Sequence, residues 1–197
     1  MKRGAFLGVI TLNTLAVVVT LVAIGALVAI GAPGCLGDEA TGTEIYTCPN
    51  KSAFTGIPDE GGAAMAGVSA FMERRCGTLD CHGAASIPMR LHGQLGRRLP
   101  DEGNISGGAP TTAGELDANY SAVCGVEPEK TAEQVDTFGQ SAEELLIVRK
   151  ARGIEGHKGG TIVKEGDPGD QCIVGWLRRV PLADLAPLCQ QAIEKID

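Results

Sequence analysis

The chain is 197 residues long with a formal net charge of −7, 44% hydrophobic and only 4% aromatic residues, enough for an export segment and one domain with its own core but not for two full domains. The acidic balance argues against nucleic acid as a partner. The 28 glycines and 10 prolines indicate many turns and irregular stretches.

Residues 1–34 begin with Lys2-Arg3, run almost unbroken in apolar residues from 15 to 32, and end in Ala32-Pro33-Gly34-Cys35. This is an export signal or a membrane anchor. The small residues before Cys35 resemble the lipobox of bacterial lipoproteins, which implies lipidation at Cys35. The other reading is a retained transmembrane helix, since a span needs only about 20 apolar residues. Residues 35–62 mix Gly, Thr, Asp, Glu, Pro and Ser without helical or strand periodicity and read as a tether, pinned at its far end by Cys48.

The domain is expected over residues 63–197. Met65, Val68, Phe71 and Met72 fall at helical spacing and predict a helix that delivers Cys76 at its end. Then comes Arg75-Cys76-Gly77-Thr78-Leu79-Asp80-Cys81-His82-Gly83. Two thiols followed directly by a histidine suit covalent haem attachment: the thiols add across two vinyl groups on one porphyrin edge, and the histidine is thereby set under the iron. Residues 71–83 resemble the attachment segment of c-type cytochromes. That segment usually has two residues between the cysteines; here there are four, so the loop must bulge at Gly77. A zinc site is the weaker metal reading, because adjacent Cys81 and His82 side chains point different ways.

Residues 84–114, rich in Gly, Pro and Arg, predict an irregular loop. Arg74, Arg75, Arg90, Arg97 and Arg98 outnumber Glu73 and Asp80 there, offering partners for haem propionates or simply a solvated surface. Met89 and His92 rank below a more distant iron ligand because they follow His82 so closely. A short helix is expected over 114–125, with Leu116, Tyr120 and Val123 on one face and Cys124 near its end. Val126-Glu127-Pro128-Glu129 breaks it, and its acidic pair reads as a solvated turn. Ser141-Ala142-Glu143-Glu144 reads as a capping box opening a helix that stops before Gly153.

Residues 153–160 form a glycine-dense loop around His157, and glycine lets backbone approach a flat ligand. Asp167-Pro168 signals the start of a helix carrying Cys172, Ile173, Trp176 and Leu177, with Trp176 a core residue first and a haem contact second. A last short helix over 186–193 is tied down by Cys189. Leu146-Ile147-Val148-Arg149-Lys150, His157-Lys158-Gly159-Gly160 and Trp176 together resemble the later part of small cytochrome c-like domains in bacterial envelope proteins, where a histidine in such a loop can face the haem.

The resemblance implies an all-α, small cytochrome c-like helical domain, loop-rich and disulfide-stapled, behind an N-terminal apolar signal or anchor helix. It implies haem c bound through Cys76, Cys81 and His82, with His157 as second iron ligand. Single-electron transfer with an envelope redox partner would follow, the protein held at the membrane by lipid or helix and facing the periplasm or cell exterior, with assembly alongside other cytochromes an option. Seven cysteines then divide without remainder: Cys35 for lipid, Cys76 and Cys81 for haem, and Cys48, Cys124, Cys172 and Cys189 in two disulfides whose pairing stays open. The competing reading is a haem-free lipoprotein that builds structure or binds a partner, with a third disulfide closing Cys76 onto Cys81. An enzyme has little support: no nucleophile stands beside a base, and peroxidase chemistry would need an open axial position.

Overall fold

The computed structural model describes residues 47–100 and 104–195. The export or anchor segment, Cys35 and most of the expected tether lie outside the described residues. Among the described residues the regular structure is helical, with no strand beyond an isolated bridge between His92 and Arg97, and no helix is long and apolar enough to cross a membrane.

The described residues hold seven α-helices and one 3-10 turn: α1 (Lys51–Thr55), α2 (Val68–Arg75), α3 (Ala113–Cys124), α4 (Pro128–Asp136), the 3-10 turn (Ala142–Glu144), α5 (Leu146–Ala151), α6 (Pro168–Leu177) and α7 (Leu182–Glu194). The core forms where α2, α6 and α7 meet, with Val68, Phe71, Met72, Ile173, Trp176, Leu177 and Leu185 all buried. Each such large side chain removed from water contributes about 1.5–3 kcal/mol before entropy is counted. Trp176 is fully buried, tilted against Phe54 at 5.0 Å, and its indole N–H donates to the Asn50 carbonyl at 3.1 Å. It is a core residue, as its position on α6 suggests.

The N-terminal boundary differs from expectation. The described end of the presumed tether holds α1, capped by the Asn50 side chain, which accepts from the Ser52 and Ala53 amides, and closed by left-handed Gly56. Phe54 on this helix is fully buried. A five-residue helix carries no periodicity to read; packing against Tyr120 and Trp176 sustains it. Cys48 joins Cys124, and Cys172 joins Cys189, which resolves the open pairing. The first fastens α1 to α3; the second closes the α6–α7 hairpin.

Other boundaries shift for identifiable reasons. Met65 is left outside α2 and is 39% exposed, since the helix starts after Gly67, whose lack of a side chain admits the Phe54 carbonyl. Asp167 caps α6 as expected by accepting from the Asp170 amide. Ser141, by contrast, makes no capping hydrogen bond, and a 3-10 turn precedes α5. Pro128 opens α4 rather than merely breaking α3. Glu127 is no solvated turn residue: its carboxylate accepts from the Leu146 amide and pairs with Lys130, holding the start of α5. The final helix begins at Leu182, four positions earlier than the expected start at 186.

The irregular segment between α2 and α3 is organised by polar groups. Glu115 and Asn119 of α3 are fully buried. Glu115 accepts from Arg98 Nε at 2.8 Å and Nη2 at 2.9 Å, from the Leu99 and Thr112 amides and from Asn104. Arg98 also donates to the Ala109 and Pro110 carbonyls. Asn119 clasps His92 through both its amide N–H and its carbonyl and donates to Ser69. Glu73 of α2 accepts from Ser69 and Thr111.

These two carboxyls respond oppositely to pH. Burial by itself would raise the Glu115 pKa, but the hydrogen bonds from Arg98, Thr112, Leu99 and Asn104 outweigh it and bring it to about 2. Glu73 is held above its ordinary value, chiefly by burial and further by the Glu115 charge. Glu115 therefore stabilises the fold above its ordinary pKa of 4.5 and loses that contribution as pH falls toward 2. Glu73 favours the fold while protonated and gives this up as pH rises through its raised value. Accordingly, Glu115→Gln should lower the urea midpoint at pH 7, with the deficit shrinking as pH falls from 4.5 toward 2, whereas Glu73→Gln should leave it unchanged or raised. Arg98→Ala, which strands a buried carboxylate, should cost on the order of 3 kcal/mol at pH 7.

Candidate functional site

The Arg74 and Arg75 turn ends α2, and the chain enters a tightly bonded loop. The Cys76 and Gly77 amides both donate to the Met72 carbonyl, the His82 amide donates to the Cys76 carbonyl at 2.9 Å, and the Gly83 amide donates to Thr78. The four-residue spacer is thus folded back on itself. Two later glycines permit this: a side chain at Gly83 or Gly96 would fall within 2.3 Å or 2.1 Å of the Gly77 carbonyl oxygen. Cys76 and Cys81 are unpaired, so the third disulfide of the haem-free reading is not formed. Burial pushes the Cys76 thiol up to about 12, with Arg75 acting weakly the other way.

His82 points into a cavity of about 530 Å³, whose lining includes Met72, Cys76, Met89, Val126, Leu146 and Ile147 as well as His157. The walls are aliphatic, within the volume range of sites that enclose organic ligands, about 300–1,000 Å³. Among the described residues no aromatic ring apart from the two imidazoles lines it, which accords with the chain's low aromatic content. Across it the imidazoles of His82 and His157 have centroids 6.0 Å apart and planes inclined by 18°. Two imidazole nitrogens sharing one metal centre at about 2 Å each leave their centroids on the order of 6 Å apart.

Both rings are oriented by backbone carbonyls. His82 Nδ1 lies 3.1 Å from the Pro88 carbonyl and 3.0 Å from that of Met89, and His157 Nδ1 lies 3.3 Å from the Gly160 carbonyl. A carbonyl only accepts, so each Nδ1 carries the proton and each Nε2 keeps a lone pair for a metal. Gly159 abuts the His157 ring, where a Cβ would lie 3.0 Å from Cε1.

No protein-family model, curated protein or solved structure matches this chain.

The structure therefore brings together Cys76, His82 and His157 at one cavity; Cys81 is not among its lining residues, though it lies near Cys76. Met89 also lines it, but on the His82 side, since its carbonyl contacts that imidazole. His92 is not among the lining residues; it is buried against Asn119, its Nδ1 has no hydrogen-bond partner, and burial followed by nearby Arg97 lowers its pKa. None of the five arginines lines the cavity. Arg98 is consumed by Glu115 and Arg75 donates to the Ile162 carbonyl. The lining cations are Lys150 and Lys158, both inside segments singled out in the sequence but given no role there. Among the described residues no group of three or more His, Cys, Asp and Glu side chains is placed to hold a metal ion.

In folded protein free of haem, Cys76 should resist alkylation by iodoacetamide at pH 8 and react fully after unfolding, as peptide mass spectrometry would read. Equal labelling of Cys76 in both states would contradict the raised pKa of this half-buried thiol.

Proposed function

We propose that the protein carries one covalently bound haem c and transfers single electrons at the bacterial envelope. The observation that carries this reading is the facing pair of carbonyl-oriented histidines across an aliphatic cavity that also receives an unpaired cysteine. The donor set fits the group: Cys76 and Cys81 would hold its edge through thioethers, and His82 and His157 would present Nε2 from opposite sides. Thioether formation adds S–H across a vinyl double bond, sulfur to one carbon and hydrogen to the other, and so consumes no oxidant. When bound, a haem supplies one-electron redox chemistry. The chain's part is to hold two imidazoles in one tautomer, keep water from the aliphatic walls, and set Lys150 and Lys158 where carboxylates could meet them.

The two disulfides support an oxidising compartment, and the apolar N-terminal sequence supports export to it. Attachment at the membrane through lipid on Cys35 or through a retained helix, and a redox partner in the envelope, belong to the same proposal. Held by two imidazoles, His82 and His157, a haem would have a lower potential than one held by an imidazole and a methionine.

Expression with a haem-attachment system tests it. Haem should remain with the polypeptide on a denaturing gel, and Cys81→Ser should weaken that retention. His157→Ala should keep its haem but change from a low-spin to a high-spin spectrum. Colourless protein with Cys76 joined to Cys81 would favour the haem-free reading, and an unchanged low-spin spectrum in His157→Ala would reassign the second ligand.

A further inference from the structure

The two histidines are held very differently. His82 sits in the bonded loop described above, its own carbonyl accepts from the buried Leu91 amide, and Gly83 behind it is buried. His157 sits on a loop over residues 153–161 in which Gly153, Ile154, Gly156, Lys158, Gly159, Gly160 and Thr161 are all exposed. Ile154 is 66% exposed, so the loop's one large aliphatic side chain is not anchored in the core.

The bonds of this loop run to α5 or stay within it. The Ile154 and Glu155 amides donate to the Arg149 carbonyl, and Lys150 Nζ donates to the Gly156 carbonyl at 2.8 Å. The Glu155 carboxylate pairs with Arg149 at 3.3 Å and Lys150 at 3.7 Å, all at half-exposed groups. The Gly160 amide returns to the His157 carbonyl. The neck is far firmer: the Ile162 and Val163 amides both donate to the Ala151 carbonyl, and Arg152 is bidentate to buried Asp170 at 2.8 and 2.9 Å. Gly153 and Gly160 both have φ of +69°, a region glycine enters freely. The loop is thus closed at its base and lightly tied along its length, the pattern of segments that open locally without global unfolding.

We infer that residues 153–161 form a flap that lifts His157 away, so that the protein also binds a small neutral lone-pair donor on the cavity face opposite His82. Carbon monoxide is the probe of that class. The inference rests on the haem reading: one donor lone pair leaves with His157 Nε2 and another takes its place, with no net oxidation or reduction. Its second function is therefore ligand binding gated by the flap, with His82 as the fixed side.

The intact haem-loaded protein, reduced and mixed with carbon monoxide, gives the test by stopped-flow absorbance. The rate of uptake should level off as carbon monoxide rises, because flap opening becomes limiting, and Glu155→Gln should raise the plateau several-fold. His157→Ala should bind faster still, with a rate linear in carbon monoxide. Hydrogen exchange read by mass spectrometry should be at least about tenfold faster at the 154–161 amides than at 82–92. A coloured, low-spin protein that takes up no carbon monoxide over hours while His157→Ala does, or equal plateaus for the parent and Glu155→Gln, overturns the flap and leaves electron transfer standing. Protein without covalent haem overturns both.

Discussion

The hydrogen bond from the His82 amide to the Cys76 carbonyl converts residues 76–83 from a flexible spacer into a rigid piece at the end of α2. Everything about the site follows from that closure. The direction of α2, set by Val68, Phe71 and Met72 in the core, becomes the direction in which Cys76 enters the cavity. Two additional residues in the spacer are absorbed by folding inward, and the cost falls on the neighbours. Gly83 and Gly96 must be glycines because their Cα atoms pass beside the Gly77 carbonyl. The loop from 84 to 98 is consequently pressed against residues 76–83, which brings the Pro88 and Met89 carbonyls onto the His82 ring.

Much of this was legible in the chain. Helix α6 could be read from Asp167-Pro168 and the burial of Trp176 from its helical position, and the four disulfide cysteines are the ones the resemblance set aside for two bridges. His157 was singled out from its glycines and its distance along the chain, and its ring does line the same cavity as His82. What could not be read is instructive. Helix α1 is too short to have a period, and its stability comes from three aromatic rings contributed by α1, α3 and α6. The α3 face was read from its apolar residues, yet its fully buried positions include Glu115 and Asn119. Sequence patterns equate burial with apolar character, and they fail where a charge is buried together with its partner. Arg98 was misread for the same reason, since nothing in its local sequence reveals a carboxylate seventeen positions away.

That buried network also explains how a long irregular segment is held without strands. Backbone amides and carbonyls from residues 92, 99, 109, 110 and 112 find their partners in side chains rather than in a ladder. Polar satisfaction of this kind demands particular residues, so the segment is well defined but intolerant of charge removal. It leaves the cavity wall opposite, built from α5 and the loop after it, to carry whatever mobility the site needs.

The half-buried position of Cys76 has a bearing on survival as well as on packing. Disulfide exchange and sulfur oxidation both proceed through the thiolate. A thiol whose pKa is pushed up to about 12 is almost wholly protonated near neutrality. Surroundings oxidising enough to close Cys48 onto Cys124 and Cys172 onto Cys189 would therefore act slowly on Cys76 once the domain is folded. The same apolar walls that shape the cavity act as an antioxidant shield, keeping one sulfur of the pair chemically available.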